Sequence, residues 1–351
     1  MTFPSPTGGA SILHEDFVPS IIFAVLYGCM VPLIFYRLAH RRSRTLVIAG
    51  CASLSIERIV VLSLRANASQ TESTGPIKYM QTSIGVGFLS ICLSYKDLVQ
   101  CFLINATYGT DTYYQAPVCS GARNASKTQT QFQEILASQP ILRVIYSTQR
   151  VADMPRARST ARRIGGLCFL AFLGAIVTGI LAAVKYSSLI NNNSEAGNMM
   201  MLRYVSAGLA LGTLLIVGCG MALGYLYLPR ANSAAFKLLV AVWLLLCTVA
   251  IYRAAVLHNT TSSFTSTEPG SLNSPADKAF FYIFQILPEW LSILALFSVN
   301  AREIVGSGPW GDWRGKDESQ AAKVKRERKA AEVLIMKPMN GPPVASDGEP
   351  P

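Results

Sequence analysis

Seven apolar runs of similar length recur along the chain, at about 19–39, 46–64, 79–104, 166–184, 204–226, 236–257 and 279–299. At about 1.5 Å per helical residue, some twenty residues cross the ~30 Å hydrocarbon core of a bilayer, where every backbone N–H and C=O must find its partner inside the segment. The runs therefore predict an all-α membrane protein, a seven-transmembrane-helix bundle. With 51% apolar and only 15% charged residues among 351, little of the chain is left to form a soluble domain of ordinary composition.

The formal charge of +11 is spread over the loops between runs rather than gathered on one face, so it reads as topology and not as a nucleic-acid footprint. Arg37, Arg41, Arg42 and Arg44 crowd the first loop without an acid, and residues 107–163 and the fifth loop (Arg230, Lys237) are also basic. The first residues carry Glu15 and Asp16 and no Lys or Arg. The positive-inside rule then predicts the N-terminus outside and the C-terminus cytoplasmic. Residues 1–18 become an extracellular tail, 19–305 the helical domain, and 306–351 a cytoplasmic tail with a basic helix over 319–336 and a Pro-rich, disordered end. No basic stretch or small-residue cleavage site precedes Phe17, so the first run is expected to remain as an anchor. Glycosylation sequons at Asn67, Asn192 and Asn259 fall in loops predicted outside, whereas Asn105 and Asn124 fall inside. Trp310 and Trp313 resemble an anchor at headgroup level.

Ionisable residues inside the runs ask for a reason, because a charge at the bilayer centre costs roughly 2.5 kcal/mol or more unless it faces a partner or the bundle interior. Glu289 stands at the middle of the seventh run. Tyr282, Gln285, Glu289 and Ser292 follow at spacings of three, four and three, one face of a helix. Pro288 has no N–H for the carbonyl of Phe284 and predicts a kink beside the acid. In the second run, Ser53 and Glu57 share a face and Arg58 follows; Arg253 ends the sixth. Two acids, Glu57 and Glu289, balance two bases, Arg58 and Arg253, which predicts a polar cavity among spans two, six and seven that either locks the helices or receives a ligand. Lys96 and Asp97 in the third run form a separate inner pair, whose bland reading is local pairing and whose sharper one is a relay. The third run also carries Ser83, Gly87, Ser90, Ser94, Asp97, Cys101 and Asn105 at alternating fours and threes, the pattern of a central helix.

Several chemistries find no support. His14, His40 and His258 lie at or beyond run ends, so neither a metal site nor another cofactor is expected. Lys278 is read as preceding the seventh helix, which argues against a retinal protein, and no Gly-rich phosphate loop or Gly-x-Ser-x-Gly elbow points to an enzyme. Of eight cysteines, seven lie within runs as small apolar packing groups.

Seven spans with Tyr252-Arg253 in the sixth, and Phe281-Tyr282-Ile283-Phe284 leading to Pro288-Glu289 in the seventh, resemble fungal membrane proteins of the lipid-translocating exporter type. Gln285 stands where those proteins tend to carry an acid. The resemblance implies handling of amphiphilic lipids or toxic sterol and sphingoid compounds at the plasma membrane, with the bilayer and a small amphiphile as partners. The competing class is a seven-helix receptor with a cytoplasmic signalling partner at its basic inner loops and tail, although no Asp-Arg-Tyr ends the third run; a non-catalytic scaffold is third.

Overall fold

The structure, a computed structural model, describes residues 3–10, 14–71, 77–109, 151–185, 196–263 and 266–315. Asn124, Asn192, Cys119, the interfacial helices expected near 132–145 and the tail helix expected at 319–336 lie outside the described residues.

Seven helical segments are long and apolar enough to cross a membrane, which is compatible with a multi-pass membrane protein. They are α1 (Phe17–Ala39), α2 (Ala49–Thr71), α3 (Ile77–Ala106), α4 (Pro155–Lys185), α5 (Ala196–Tyr227), α6 (Ser233–Val256) and a composite seventh span. That last span is α7 (Pro275–Phe281), a π turn (Tyr282–Ile286) and α8 (Leu287–Ser298). Local chemistry sets several ends. Asn232 caps α6 by accepting from the Ala234 N–H, and Ser274 caps α7 ahead of Pro275. Large apolar side chains such as Phe35, Leu167, Leu170 and Leu226 stand exposed on the outside, where a bilayer rather than water would meet them.

The helices adjoin in chain order, and α1 closes the ring against α8. α3 also touches α5, α6 and α8 and is the most buried of the seven, as its polar stripe predicts. Along that stripe α2 comes close: at Gly87 a Cβ would stand 2.4 Å from a methyl of Leu54 and 3.1 Å from the Arg58 guanidinium, so only glycine leaves room for the arginine there.

Both ends of the bundle are strapped by residues that hydropathy assigned to tails. At one end, β1 (Phe3–Pro4) pairs antiparallel with β2 (Thr260–Thr261), and the Thr7 backbone exchanges hydrogen bonds with the Gln81 amide. The extracellular tail of the sequence reading is thus folded onto the helices; its backbone donors and acceptors have partners there that no hydropathy profile reveals. At the other end, Arg37 donates to the carbonyls of Phe297 and Ser298, and α9 (Ala301–Val305) ends at Gly306 with φ 77°. Asn105 donates to the carbonyls of Val305 and Gly306 and accepts from the Trp313 indole, while Arg162 holds Asp312 at 2.5 Å. Trp313 is therefore engaged with the bundle, and only Trp310, 85% exposed, fits the expected anchor.

Candidate functional site

The π turn is what becomes of the predicted kink. Pro288 cannot donate, and the Leu287 N–H reaches back five residues to the Tyr282 carbonyl, so the ladder widens by one residue ahead of the proline. Tyr282, Gln285, Glu289 and Ser292 are all buried, so the polar stripe faces inward as expected. They do not all serve one cluster.

Glu289 meets Arg58. The guanidinium Nε donates to Oε2 at 2.8 Å, Nη2 lies 2.8 Å from the same oxygen, and Nη1 donates to the Ser83 hydroxyl at 3.2 Å, with both charged side chains at 0% exposure. Position 58 serves because α2 turns its Cys51, Ser55, Arg58, Leu62, Arg65 face inward. Around the pair, Glu289 Oε1, the Tyr27 hydroxyl and both ends of the Gln285 amide are buried without a hydrogen-bond partner among the described residues. Ser292 stays apart, donating to the Pro288 carbonyl at 2.7 Å.

A second ionic group sits about two helical turns further along α2. Arg65 grips Asp16 through Nε at 3.0 Å and Nη2 at 2.9 Å, Lys278 pairs with the other carboxylate oxygen, and the Tyr282 hydroxyl lies 3.0 Å from Oδ1 and 2.7 Å from the Ser20 hydroxyl. The Arg65 guanidinium also lies 4.7 Å from the centre of the Phe281 ring, and the carbonyls of Gly8 and Ala10 accept from Arg65 and Lys278. Asp16 thus ties the N-terminal segment to α2 and α7.

Three expectations are corrected here. Glu57 is half-buried and forms no ion pair among the described residues, because α2 presents the neighbouring Arg58 to the interior instead. Tyr282 belongs to the Asp16 group rather than to the Glu289 group. Lys278 lies within the seventh span and is buried, so the exclusion of a retinal protein on the ground that Lys278 precedes the helix does not stand in that form. The sequence held a signal for the missed residues: Arg65 follows Arg58 by seven, and Lys278 precedes Tyr282 by four, so each continues a face already identified.

Arg253 takes neither acid. Its Nη2 donates to the Gly85 carbonyl at 2.8 Å and its Nη1 to the Ile84 carbonyl at 3.4 Å, and it lies 5.3 Å from the centre of the Phe88 ring. The cavity it lines is not among spans two, six and seven as predicted. It lies between α3, α4, α5 and α6, beside Thr7, with a volume of about 50 Å³. The reason is side-chain size: Gly85, Gly179, Ala182, Ala183 and Ala207 leave a gap there, whereas Tyr27 and Gln285 fill the interior around Glu289. Arg203 lines the same cavity and donates to the Ser5 carbonyl and the Thr7 hydroxyl, each at 3.0 Å. No family model, no curated protein and no solved structure matches the chain. The Tyr252 and Phe284 rings of the sixth and seventh spans are stacked, with centroids 6.3 Å apart.

Lys96 pairs with its neighbour Asp97, and the ammonium lies 5.5 Å from the centre of the Phe169 ring while Asp97 is 42% exposed. That is the local pairing of the blander reading. Among the described residues no three His, Cys, Asp or Glu side chains stand close enough to hold a metal. Of the sequon candidates, Asn67 is an exposed residue of α2 and Asn259 donates to the Val256 carbonyl at 3.2 Å.

Proposed function

We propose that the chain is an integral membrane protein that takes a small amphiphilic or lipid-like molecule between its helices, to move it across the bilayer or to sense it. The observation that carries the reading is the cavity between α3, α4, α5 and α6, whose lining divides between small residues such as Gly85, Gly179, Ala182 and Ala207 and polar ones that include the guanidinium groups of Arg203 and Arg253, set among helices whose outer faces are apolar. An amphiphile matches that division, with its polar end on the arginines and its chain along the helix surfaces. The resemblance to lipid-translocating exporters points the same way, and the reading assigns no catalytic residue. A receptor role is the second reading, favoured by the buried Glu289, Gln285 and Tyr27 atoms that have no hydrogen-bond partner among the described residues, since such groups can adopt a second hydrogen-bonded arrangement.

The test is reconstitution of the purified chain into sealed liposomes with a fluorescent short-chain phospholipid. The account expects chemical quenching from outside to reach the inner-leaflet label in protein-containing vesicles, and the label to stay protected in empty ones. Nucleotide exchange on a co-reconstituted G protein, with the inner label still protected, would favour the receptor. Neither response would overturn both readings.

A further inference from the structure

We propose that the loop between α1 and α2 binds the headgroup of an anionic phospholipid, whose phosphate meets Arg41, Arg42 and Arg44. The inference stands apart from the amphiphile reading and needs only that α1 crosses the bilayer. The three side chains are exposed, and among the described residues none of them forms an ion pair or a side-chain hydrogen bond. Other arginines at this end are committed elsewhere: Arg37 donates to the Phe297 and Ser298 carbonyls, Arg302 to those of Arg41 and Arg44, and Arg162 holds Asp312. The sequence has no Asp or Glu between Asp16 and Glu57, and Glu303, the acid beside Arg302, accepts from the Asn300 amide at 3.0 Å.

The loop is fixed as well as basic. The buried Ser43 hydroxyl donates to the Arg37 carbonyl at 3.0 Å, the buried Thr45 hydroxyl donates to the Gly308 carbonyl at 3.0 Å, and Arg302 reaches the Arg41 carbonyl at 2.9 Å. With Ser43 and Thr45 anchored inward, Arg42 and Arg44 alternate outward. A topology signal needs positive charge on one side of the membrane and no such anchoring. Helix stability does not account for the charges either, because they precede the start of α2, where the helix dipole disfavours cations and favours an anion. The surroundings identify the anion as a lipid. At about 1.5 Å per residue, the 23 residues of α1 suffice to cross the ~30 Å core and bring the loop to headgroup level. Phe35 and Tyr36 stand exposed about one turn before the end of α1, and the exposed Trp310 follows Pro309, whose carbonyl accepts from the Leu46 N–H at 2.7 Å. Acyl chains match the apolar surface of the first two, and a phosphate matches the guanidinium groups beyond them.

The experiment measures, by native mass spectrometry of the full chain from dodecyl maltoside, the binding of dioctanoyl phosphatidic acid, dioctanoyl phosphatidylcholine, glycerol 3-phosphate and a hexaglutamate peptide. Saturable binding of the phosphatidic acid is expected, with the zwitterionic phosphatidylcholine weaker.

The triple variant Arg41→Gln, Arg42→Gln, Arg44→Gln should weaken phosphatidic acid binding about a hundredfold, the product of roughly fivefold for each basic residue near an anionic headgroup. It should unfold at the wild-type midpoint, since the three side chains hold nothing else together. A control triple variant, Arg156→Gln, Arg163→Gln, Lys237→Gln, removes three exposed charges near the starts of α4 and α6 and should leave binding unchanged. Equal losses in the two triple variants overturn the loop as the site, leaving only diffuse charge. Phosphatidylcholine binding as tightly as phosphatidic acid, or no saturable binding of either, overturns the anionic headgroup. Glycerol 3-phosphate or hexaglutamate binding as tightly as phosphatidic acid overturns the lipid as the occupant.

Discussion

Asp16→Ala is expected to lower the stability of the bundle by about 3–5 kcal/mol, the range seen when one partner of a buried ion pair is removed. Asp16 has 0% exposure and is the carboxylate shared by Arg65 and Lys278, which are themselves 1% and 2% exposed. Its loss strands two cations rather than one, and it releases the segment whose Gly8 and Ala10 carbonyls complete their shells. Asp16→Asn keeps an acceptor for Arg65 and discards the charge, so it should fall between Asp16→Ala and the wild type. The unfolding midpoint in detergent checks the order of the three proteins, and limited proteolysis between residues 3 and 10 checks the release. A wild-type midpoint for Asp16→Ala would mean that water already reaches the two cations.

The second large effect concerns Arg58 and Glu289. Arg58→Met or Glu289→Leu alone leaves an opposite charge with no counterion at 0% exposure and should cost about 3–5 kcal/mol. The double variant removes both charges and replaces them with apolar groups of similar reach, so it should recover most of that loss, because apolar replacement of a complete buried pair is often neutral or better. Equilibrium unfolding of the four proteins gives the coupling directly. The double variant is also expected to retain amphiphile binding, since the cavity lies at Arg253 and Arg203 rather than at this pair. Strictly additive single effects would contradict the pairing.

Much of this architecture is legible without coordinates. A bilayer core accepts few solutions, so runs of some twenty apolar residues are enough to find seven helices, and the fours and threes from Ser83 to Asn105 are enough to make α3 central. Glu289 was legible as an inward residue for the same reason: lipid offers it nothing. The Asp16 group was not, because hydropathy ends a span where charge begins while the helix itself continues. α2 runs on to Thr71, α5 starts at Ala196, and α7 starts at Pro275, each beyond the apolar run that announces it. Arg65 and Lys278 lie in those extensions, and Asp16 lies just ahead of α1.

Partner choice was harder still. Glu57 and Arg58 are neighbours in sequence, and which of them enters the interior depends on a helix rotation that packing against α1, α3 and α8 decides. The cavity depends on four helices at once. Gly85, Ala182 and Ala207 are unremarkable in their own runs, and the gap they leave with Gly179 exists only where those positions meet.

An odd number of crossings puts the two chain ends on opposite sides of the membrane, and everything above assumes that all seven helices cross. Epitope tags at residues 1 and 351, probed with antibody on sealed vesicles before and after detergent, measure this most directly. The account predicts that one tag is reached in intact vesicles and the other only after detergent. Both tags reached together, or both hidden together, would contradict it.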